Sequence, residues 1–267
     1  MVLDFYDNES FKSLKMMPLV HIAKKDRITG KNNGELILKD GAFNTKRDDA
    51  LSRLTAKEEN LIFFFYAKPA YKDPIGFDPM NLPIIFIVET QNSPARIFPF
   101  DTGAFINNRF VHSLGNNYEA KYNLMDFQLI ADIKKLGKYI NSFWKNNISY
   151  YKDRLHIHKR IVPTENKDLV SLIKLIKAPI TPFCDERKHT IELQFDKSME
   201  LNGNLKAVFI SQNIITKNPS ILDNIAKFTS TLLIYRENGG FKRLQDQISE
   251  FLYKEIDKFY RKCRYYR

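Results

Sequence analysis

Two short apolar runs with a proline-rich segment between them constrain the fold most. Residues 61–65 and 82–88 are continuous apolar stretches of strand length, and the first is typical of a strand buried on both faces. Proline has no backbone N–H and interrupts helices, so the segment between the runs is not a helix. Pro69, Pro74 and Pro79 lie between the runs, and Pro83 lies at the start of the second run. The sequence therefore predicts two core strands, both far shorter than the roughly 18 apolar residues of a membrane span.

The composition is that of a basic, globular protein. Its 267 residues carry a formal net charge of +11, which favours polyanionic partners, nucleic acid first and an anionic membrane surface or acidic protein second. Residues 1–7 have neither the basic nor the apolar region of a signal peptide, so we expect a cytoplasmic protein with no membrane partner. Cys184 and Cys263 lie far apart and have no CxxC partner, which predicts two free thiols and no zinc site.

The hydrophobic pattern predicts one α+β domain over residues 1–267, with a helical insertion at about 125–180 and a basic C-terminal helix at about 240–267. Strands are predicted at 19–22, 61–65, 82–89, 190–195, 205–211 and 229–235, and residues 36–43 are interpreted as a strand or a pair of turns. Helices are predicted at 126–147, with Asp126 as N-cap, and at 168–177.

The charged loop at 184–189 runs into a short strand that contains the most interesting acid of the chain. Side chains alternate along a strand, so Thr190, Glu192 and Gln194 share one face, opposite Ile191 and Leu193. Glu192 either lies on the open face of a half-buried sheet or points into a cleft where it does chemical work.

A second polar island, at residues 100–103, interrupts an apolar segment. Its Asp101-Thr102-Gly103 sequence is a turn that can direct a carboxylate and a hydroxyl toward a pocket. The same three letters surround the nucleophile of aspartic proteases, but those enzymes need two such loops and this chain has one.

Two segments combine basic and aromatic residues, at 150–160 and 260–267. Such segments suit phosphate contact and base stacking, although the first also fits an exposed connector. Sequence signatures of P-loops, dinucleotide-binding loops, nucleophile elbows, zinc proteases and zinc deaminases are absent, which removes the commoner cofactor classes.

Three segments in order along the chain resemble the ADP-ribosyltransferase fold: the strand with His21, the Phe-rich residues 63–71, and Thr190-Ile191-Glu192-Leu193. The nearest resemblance is to bacterial toxin enzymes that modify nucleic acid. It implies a split antiparallel β-sheet core with flanking helices, spans about residues 19–215, and implies NAD as a substrate.

The resemblance also implies residue roles. His21 would bind NAD, Tyr66 and Tyr71 would flank the nicotinamide ring, and Glu192 would be the catalytic acid. Some members use an arginine before the aromatic strand, which here would be Arg53, with Arg47 the less favoured choice.

The implied function is mono-ADP-ribosyl transfer of toxin or anti-phage defence type, with RNA or DNA as acceptor and with a cognate antitoxin as a further partner. We expect Asp101, Arg187, Arg261 and Arg264 to contact substrate. A carboxylate suits this reaction, because breaking the bond from nicotinamide to ribose develops positive charge on the sugar. No metal is expected in this mechanism.

Two alternatives stay open. Asp185, Glu192 and Gln194 have the rough spacing of the D...ExK core of Mg²⁺-dependent nucleases, with glutamine in place of lysine. The basic segments at 150–160 and 260–267 would also suffice for a non-catalytic nucleic-acid-binding protein.

Overall fold

The computed structural model describes most of the chain, and the fold can be followed through nine ranges. These are residues 14–24, 32–48, 51–52, 58–69, 82–116, 118–158, 167–180, 186–236 and 244–266. Predictions that fall on Arg53, Tyr71, Cys184 and Asp185 therefore lie outside the described residues.

A mixed, mostly antiparallel sheet of eight strands forms the centre of the described protein, in the order β10-β9-β5-β1-β4-β7-β6 with β3 paired to β4. A second, two-stranded sheet pairs β2 with β8. The strands are β1 (Leu19–Ala23), β2 (Ala42–Phe43), β3 (Lys46–Arg47), β4 (Asn60–Tyr66), β5 (Ile84–Val88), β6 (Arg96–Phe98), β7 (Glu192–Phe195), β8 (Met199–Glu200), β9 (Leu205–Ser211) and β10 (Leu232–Tyr235).

Nine α-helices flank the sheet in the described ranges. They are α1 (Asn33–Asp40), α2 (Thr102–Ile106), α3 (Val111–Leu114), α4 (Ile133–Trp144), α5 (Asn147–Tyr151), α6 (Lys167–Lys177), α7 (Gln212–Lys217), α8 (Ile221–Ala226) and α9 (Leu244–Lys262). Short 3-10 helices lie at Tyr118–Ala120, Leu124–Phe127 and Glu186–His189. Within these ranges, no helix has both the length and the apolar character needed to cross a membrane. The predicted α+β class is confirmed.

The register of the central strands assigns side chains to two faces of the sheet. Val20 pairs with Phe65, Phe65 with Glu192, and Glu192 with Phe98, so these four residues lie on one face, which we call the Glu192 face. His21 is one residue beyond Val20 in this register and lies on the opposite face, which we call the His21 face.

Residues 36–43, predicted as a strand or turns, are mostly helical, so that prediction was wrong. Asn32 caps α1 by accepting a hydrogen bond from the Gly34 N–H, and Gly41 ends the helix at φ 71°. Only β2 follows as strand. A Cβ atom on Gly34 would lie 2.7 Å from the Ile84 Cβ, so this glycine lets α1 approach β5 closely.

The helix predicted at 126–147 is shorter than expected. A 3-10 turn occupies Leu124–Phe127, and α4 begins at Ile133 because Asp132, not Asp126, accepts a hydrogen bond from the Lys134 N–H. Leu136, Ile140 and Phe143 of α4 are buried and form its core-facing side. Asn146 starts α5 as its N-cap.

Candidate active site

Strand β7 places Glu192 and Gln194 side by side on the Glu192 face. Both are buried, with 2% and 0% of their surface exposed, so the acid does not lie on an open sheet face. Glu192 lies between Phe65 of β4 and Phe98 of β6. Phe98 is fully buried and Phe65 is half-buried, so an aromatic ring borders the acid on each side.

The carboxylate of Glu192 accepts three hydrogen bonds from fixed donors. The Thr102 hydroxyl donates to Oε1 at 2.6 Å, and the Thr102 N–H donates to Oε2 at 3.1 Å. The Gln194 amide nitrogen also donates to Oε1, at 2.7 Å. The acid is therefore held in one orientation by residues from β7 itself and from the start of α2.

Asp101 brings a second carboxyl group to the site. Its side chain accepts a hydrogen bond from the Ala104 N–H at 2.9 Å and caps α2. Its own N–H donates to the Arg187 carbonyl at 3.1 Å, which ties the polar island to the loop before β7. The residue singled out in the Asp-Thr-Gly turn thus lies beside Glu192, together with Thr102.

Burial, and secondarily the charge of Asp101, raise the pKa of Glu192 from 4.5 to about 8. The hydrogen bonds from Thr102 and Gln194 favour the ionised form but do not offset the loss of hydration. At neutral pH the carboxyl group of Glu192 is therefore mostly protonated. The surrounding residues provide too little positive charge to stabilise its ionised form. Perturbed carboxyl groups of this kind cluster at functional sites.

The next cross-strand pair on the Glu192 face contains two polar atoms without a hydrogen-bond partner. Arg96 of β6 pairs with Gln194 across the strands, and it binds Glu59 through Nη2 at 2.7 Å. Its Nη1 has no hydrogen-bond partner, and neither does the Gln194 Oε1, although both atoms are buried. Buried polar atoms are usually satisfied, so this pair requires an explanation.

A second buried polar cluster holds the backbone next to Glu192. The Tyr150 hydroxyl accepts a hydrogen bond from the Ile191 N–H at 3.0 Å. Lys68, which is fully buried, lies 4.3 Å from the Tyr150 ring centre and binds Asp153 at 2.5 Å. His189 binds the same carboxylate at 3.0 Å. The cluster thus fixes residues on the N-terminal side of the acid.

The electrostatics of this cluster favour an ionised Asp153. Burial opposes ionisation, but the charge of Lys68 and the hydrogen bond from His189 outweigh it and lower the pKa of Asp153. Sequence reasoning missed Lys68 and Asp153, since no local pattern links two residues 85 positions apart.

His21 lies on the opposite face of the sheet and does not meet Glu192. Its ring packs 5.0 Å from Phe43 and 5.3 Å from Phe64, and Nδ1 lies 2.8 Å from the Phe63 carbonyl. Burial lowers the pKa of His21 to about 4, so the ring is neutral at physiological pH. In this structure His21 joins β1 to β4 within an aromatic cluster.

Tyr66 is fully buried and lies on the His21 face, two residues beyond Phe64. Its hydroxyl accepts from the Met17 N–H at 3.0 Å and donates to the Asn147 side chain at 3.3 Å. The structure therefore brings neither His21 nor Tyr66 to the acid, while Tyr71 and Arg53 lie outside the described residues.

Of the predicted substrate contacts, Arg187 is near the site and the C-terminal arginines belong to a different surface. Arg187 is buried in the 3-10 turn before β7. Arg261 is exposed on α9, where it binds Asp257 at 3.0 Å and lies over the Tyr266 ring. Arg264 is exposed just beyond the helix.

The aromatic residues of the two basic segments are mostly core residues. Tyr150 and Tyr151 are buried, as are Tyr260 and Tyr265 of the C-terminal segment. The exposed groups there are chiefly cations, so phosphate contact is available to these surfaces, whereas base stacking by these four rings is not.

A surface groove of about 490 Å³ separates α5 from α9. It is lined by Tyr151, Lys152, Asp153, Glu250, Tyr253, Lys254 and Asp257. Asp153 belongs both to this groove and to the buried cluster with Lys68.

The described residues contain no group of three or more His, Cys, Asp or Glu side chains placed to hold a metal ion. Cys263 is exposed as a free thiol. No protein-family model, curated protein or solved structure matches the chain. The functional argument therefore depends on the geometry around Glu192.

Proposed function

We propose that the protein is an NAD-dependent mono-ADP-ribosyltransferase of toxin or anti-phage defence type, with Glu192 as its catalytic acid. The observation that carries the proposal is the environment of Glu192: a buried carboxyl group, oriented by three hydrogen bonds and bordered by aromatic rings. The three segments that resemble the family also come together as neighbouring strands, β1, β4 and β7, which supports the same proposal.

The reaction suits an acid in this setting. The bond between the ribose C1′ and the nicotinamide nitrogen breaks, and its electron pair leaves with nicotinamide. Positive charge then develops on the ribose, and ionised Glu192 stabilises it, strongly because the site is shielded from water. The acceptor atom forms the new bond to C1′ and loses a proton.

The raised pKa of Glu192 fits a cationic substrate. The nicotinamide ring of NAD is positively charged, and a cation next to a buried carboxyl group favours its ionised form. Substrate binding would then ionise Glu192 and release a proton. The acid is thus selective for a ligand that brings positive charge to it.

Nucleic acid is the proposed acceptor, because the chain carries a net charge of +11. Exposed cations on α9 and beyond it, among them Arg261 and Arg264, provide phosphate contacts. The proposal gives no NAD-binding role to His21 or Tyr66 in the conformation described, since neither side chain faces Glu192. A cognate antitoxin is proposed as a protein partner on the family resemblance alone.

The test is nicotinamide release from labelled NAD, with label transfer to RNA, DNA and protein measured in the same reactions. Glu192→Gln should lower both rates by about a hundredfold or more, since it removes the stabilising charge. Glu200→Gln, which changes an exposed glutamate on β8, is the matched control and should leave both rates unchanged. A folded wild-type protein that neither releases nicotinamide nor transfers label would reject the proposal.

The same reactions discriminate the two alternatives. A nuclease would cleave the nucleic acid in a Mg²⁺-dependent way without NAD, and Asp185→Ala would abolish cleavage. A binding protein would retain salt-sensitive affinity in Glu192→Ala, and the salt dependence would weaken when Arg261 and Arg264 are replaced.

A further inference from the structure

The two unpartnered atoms on the Glu192 face are chemically complementary. Arg96 Nη1 is a hydrogen-bond donor and Gln194 Oε1 is an acceptor, and the two residues are direct neighbours across β6 and β7. Leaving either atom buried without a partner costs about 1–3 kcal/mol, so the protein carries a cost here that a ligand would remove.

Each of these two atoms is fixed in direction by the hydrogen bonds that the rest of its side chain makes. The guanidinium of Arg96 is held by both oxygens of Glu59, at 2.7 and 2.8 Å, which leaves Nη1 to point elsewhere. The amide nitrogen of Gln194 is held by Glu192 at 2.7 Å, which fixes the direction of its oxygen. The donor and the acceptor are therefore preorganised.

Two phenylalanines of β4 next to this pair are partly exposed. Phe63 of β4 pairs with Gln194 and is only half-buried, as is Phe65, which pairs with Glu192. A flat aromatic cation that packs on these two phenylalanines would present its substituents to Arg96 and Gln194 and its ring charge to Glu192.

We propose that Arg96 and Gln194 form a subsite for a primary carboxamide, whose oxygen accepts from Arg96 Nη1 and whose nitrogen donates to Gln194 Oε1. The subsite deepens the proposed function, on which it rests, because the nicotinamide group of NAD carries a primary carboxamide on a cationic ring. Gln194 then has two roles: its nitrogen orients Glu192, and its oxygen recognises the leaving group.

The experiment compares the binding of NAD with that of an analogue in which a methyl group replaces the carboxamide NH₂, the 3-acetylpyridine dinucleotide. Calorimetry gives both dissociation constants, and their ratio measures recognition of the NH₂ group. Wild-type protein should favour NAD by about five- to tenfold, the usual worth of one buried hydrogen bond.

Gln194→Met removes the acceptor while keeping the length of the side chain, and the ratio should fall to about one. Glu200→Gln is the matched control, because it changes an exposed glutamate on β8 and leaves Arg96, Gln194 and Glu192 in place. Its ratio and its affinity for both dinucleotides should match those of wild type.

The possible outcomes separate the two proposals. Binding of both dinucleotides with equal affinity by wild-type protein overturns the carboxamide subsite and leaves the transferase standing. A wild-type preference that persists in Gln194→Met also overturns it. Failure of folded wild-type protein to bind either dinucleotide overturns both proposals. The wild-type measurement decides the matter even if Gln194→Met does not fold.

Discussion

Replacing Glu192 by glutamine should make the protein more stable at alkaline pH. The pKa of this acid is 4.5 in its unperturbed state and about 8 in the folded protein. Between these values the folded protein keeps a proton that the unfolded chain has lost. The stability that this bound proton contributes is therefore complete below pH 4.5 and is lost as the pH rises through 8.

The size of the effect follows from the shift. Each pKa unit corresponds to about 1.4 kcal/mol, so the free energy of unfolding of wild-type protein should fall by about 4 kcal/mol between pH 5 and 8.5 on account of this group. Glutamine resembles the protonated acid and does not titrate.

Urea unfolding of both proteins at pH 5 and pH 8.5 measures this. The unfolding free energy of the variant minus that of wild type should be about 4 kcal/mol larger at pH 8.5 than at pH 5. Glu200→Gln should show no such shift, because its carboxylate is solvated. Equal differences at both pH values would refute the burial argument for Glu192.

The other predictions concern activity, the supporting cluster and the sheet. For the proposed transferase, kcat/KM for NAD should rise about tenfold per pH unit below a midpoint of about 8 and level off above it, and a flat profile from pH 6 to 9 would contradict an ionised Glu192 in the reaction. Asp153→Asn should cost about 3–5 kcal/mol in urea unfolding because it leaves Lys68 charged and buried, and a loss under 1 kcal/mol would show that the pair is not needed. The NMR signals of the His21 ring should show no protonation until the pH falls to about 4, and a midpoint near 6.5 would contradict its burial. Gly34→Ala should cost about 1–3 kcal/mol because its methyl group meets Ile84, whereas an unchanged stability would mean that α1 moves freely.

The sequence predicted the strands better than their surroundings. The alternation in Thr190-Ile191-Glu192-Leu193 correctly placed Glu192 on the face opposite Leu193, because a period of two is a local property. What covers that face is not local. Thr102 lies 90 positions earlier, and only the paired strands bring its donors to the acid.

The failures have physical reasons as well. Leu36-Ile37-Leu38 is a short apolar run that suits a strand, but the cap at Asn32 and the stop at Gly41 make the segment helical. The sequence predicts Asp126 as N-cap of the helix at 126–147, but residues 124–127 form a 3-10 turn and the helix begins after Asp132. That His21 and Glu192 lie on opposite faces follows from the register of β1 and β4, which no single segment encodes.

The place of β7 in the sheet has a consequence for synthesis of the chain. Strands β4 and β6 are made first, yet both bind β7, which comes about 95 residues after β6. Before β7 is synthesised, β3 pairs with only the first residues of β4, and the rest of that edge of β4 has no partner strand. Unpaired strand edges favour misassembly. A ribosome-bound chain that ends before residue 192 has no acid to bury, so any activity of Glu192 begins only after most of the protein has left the ribosome.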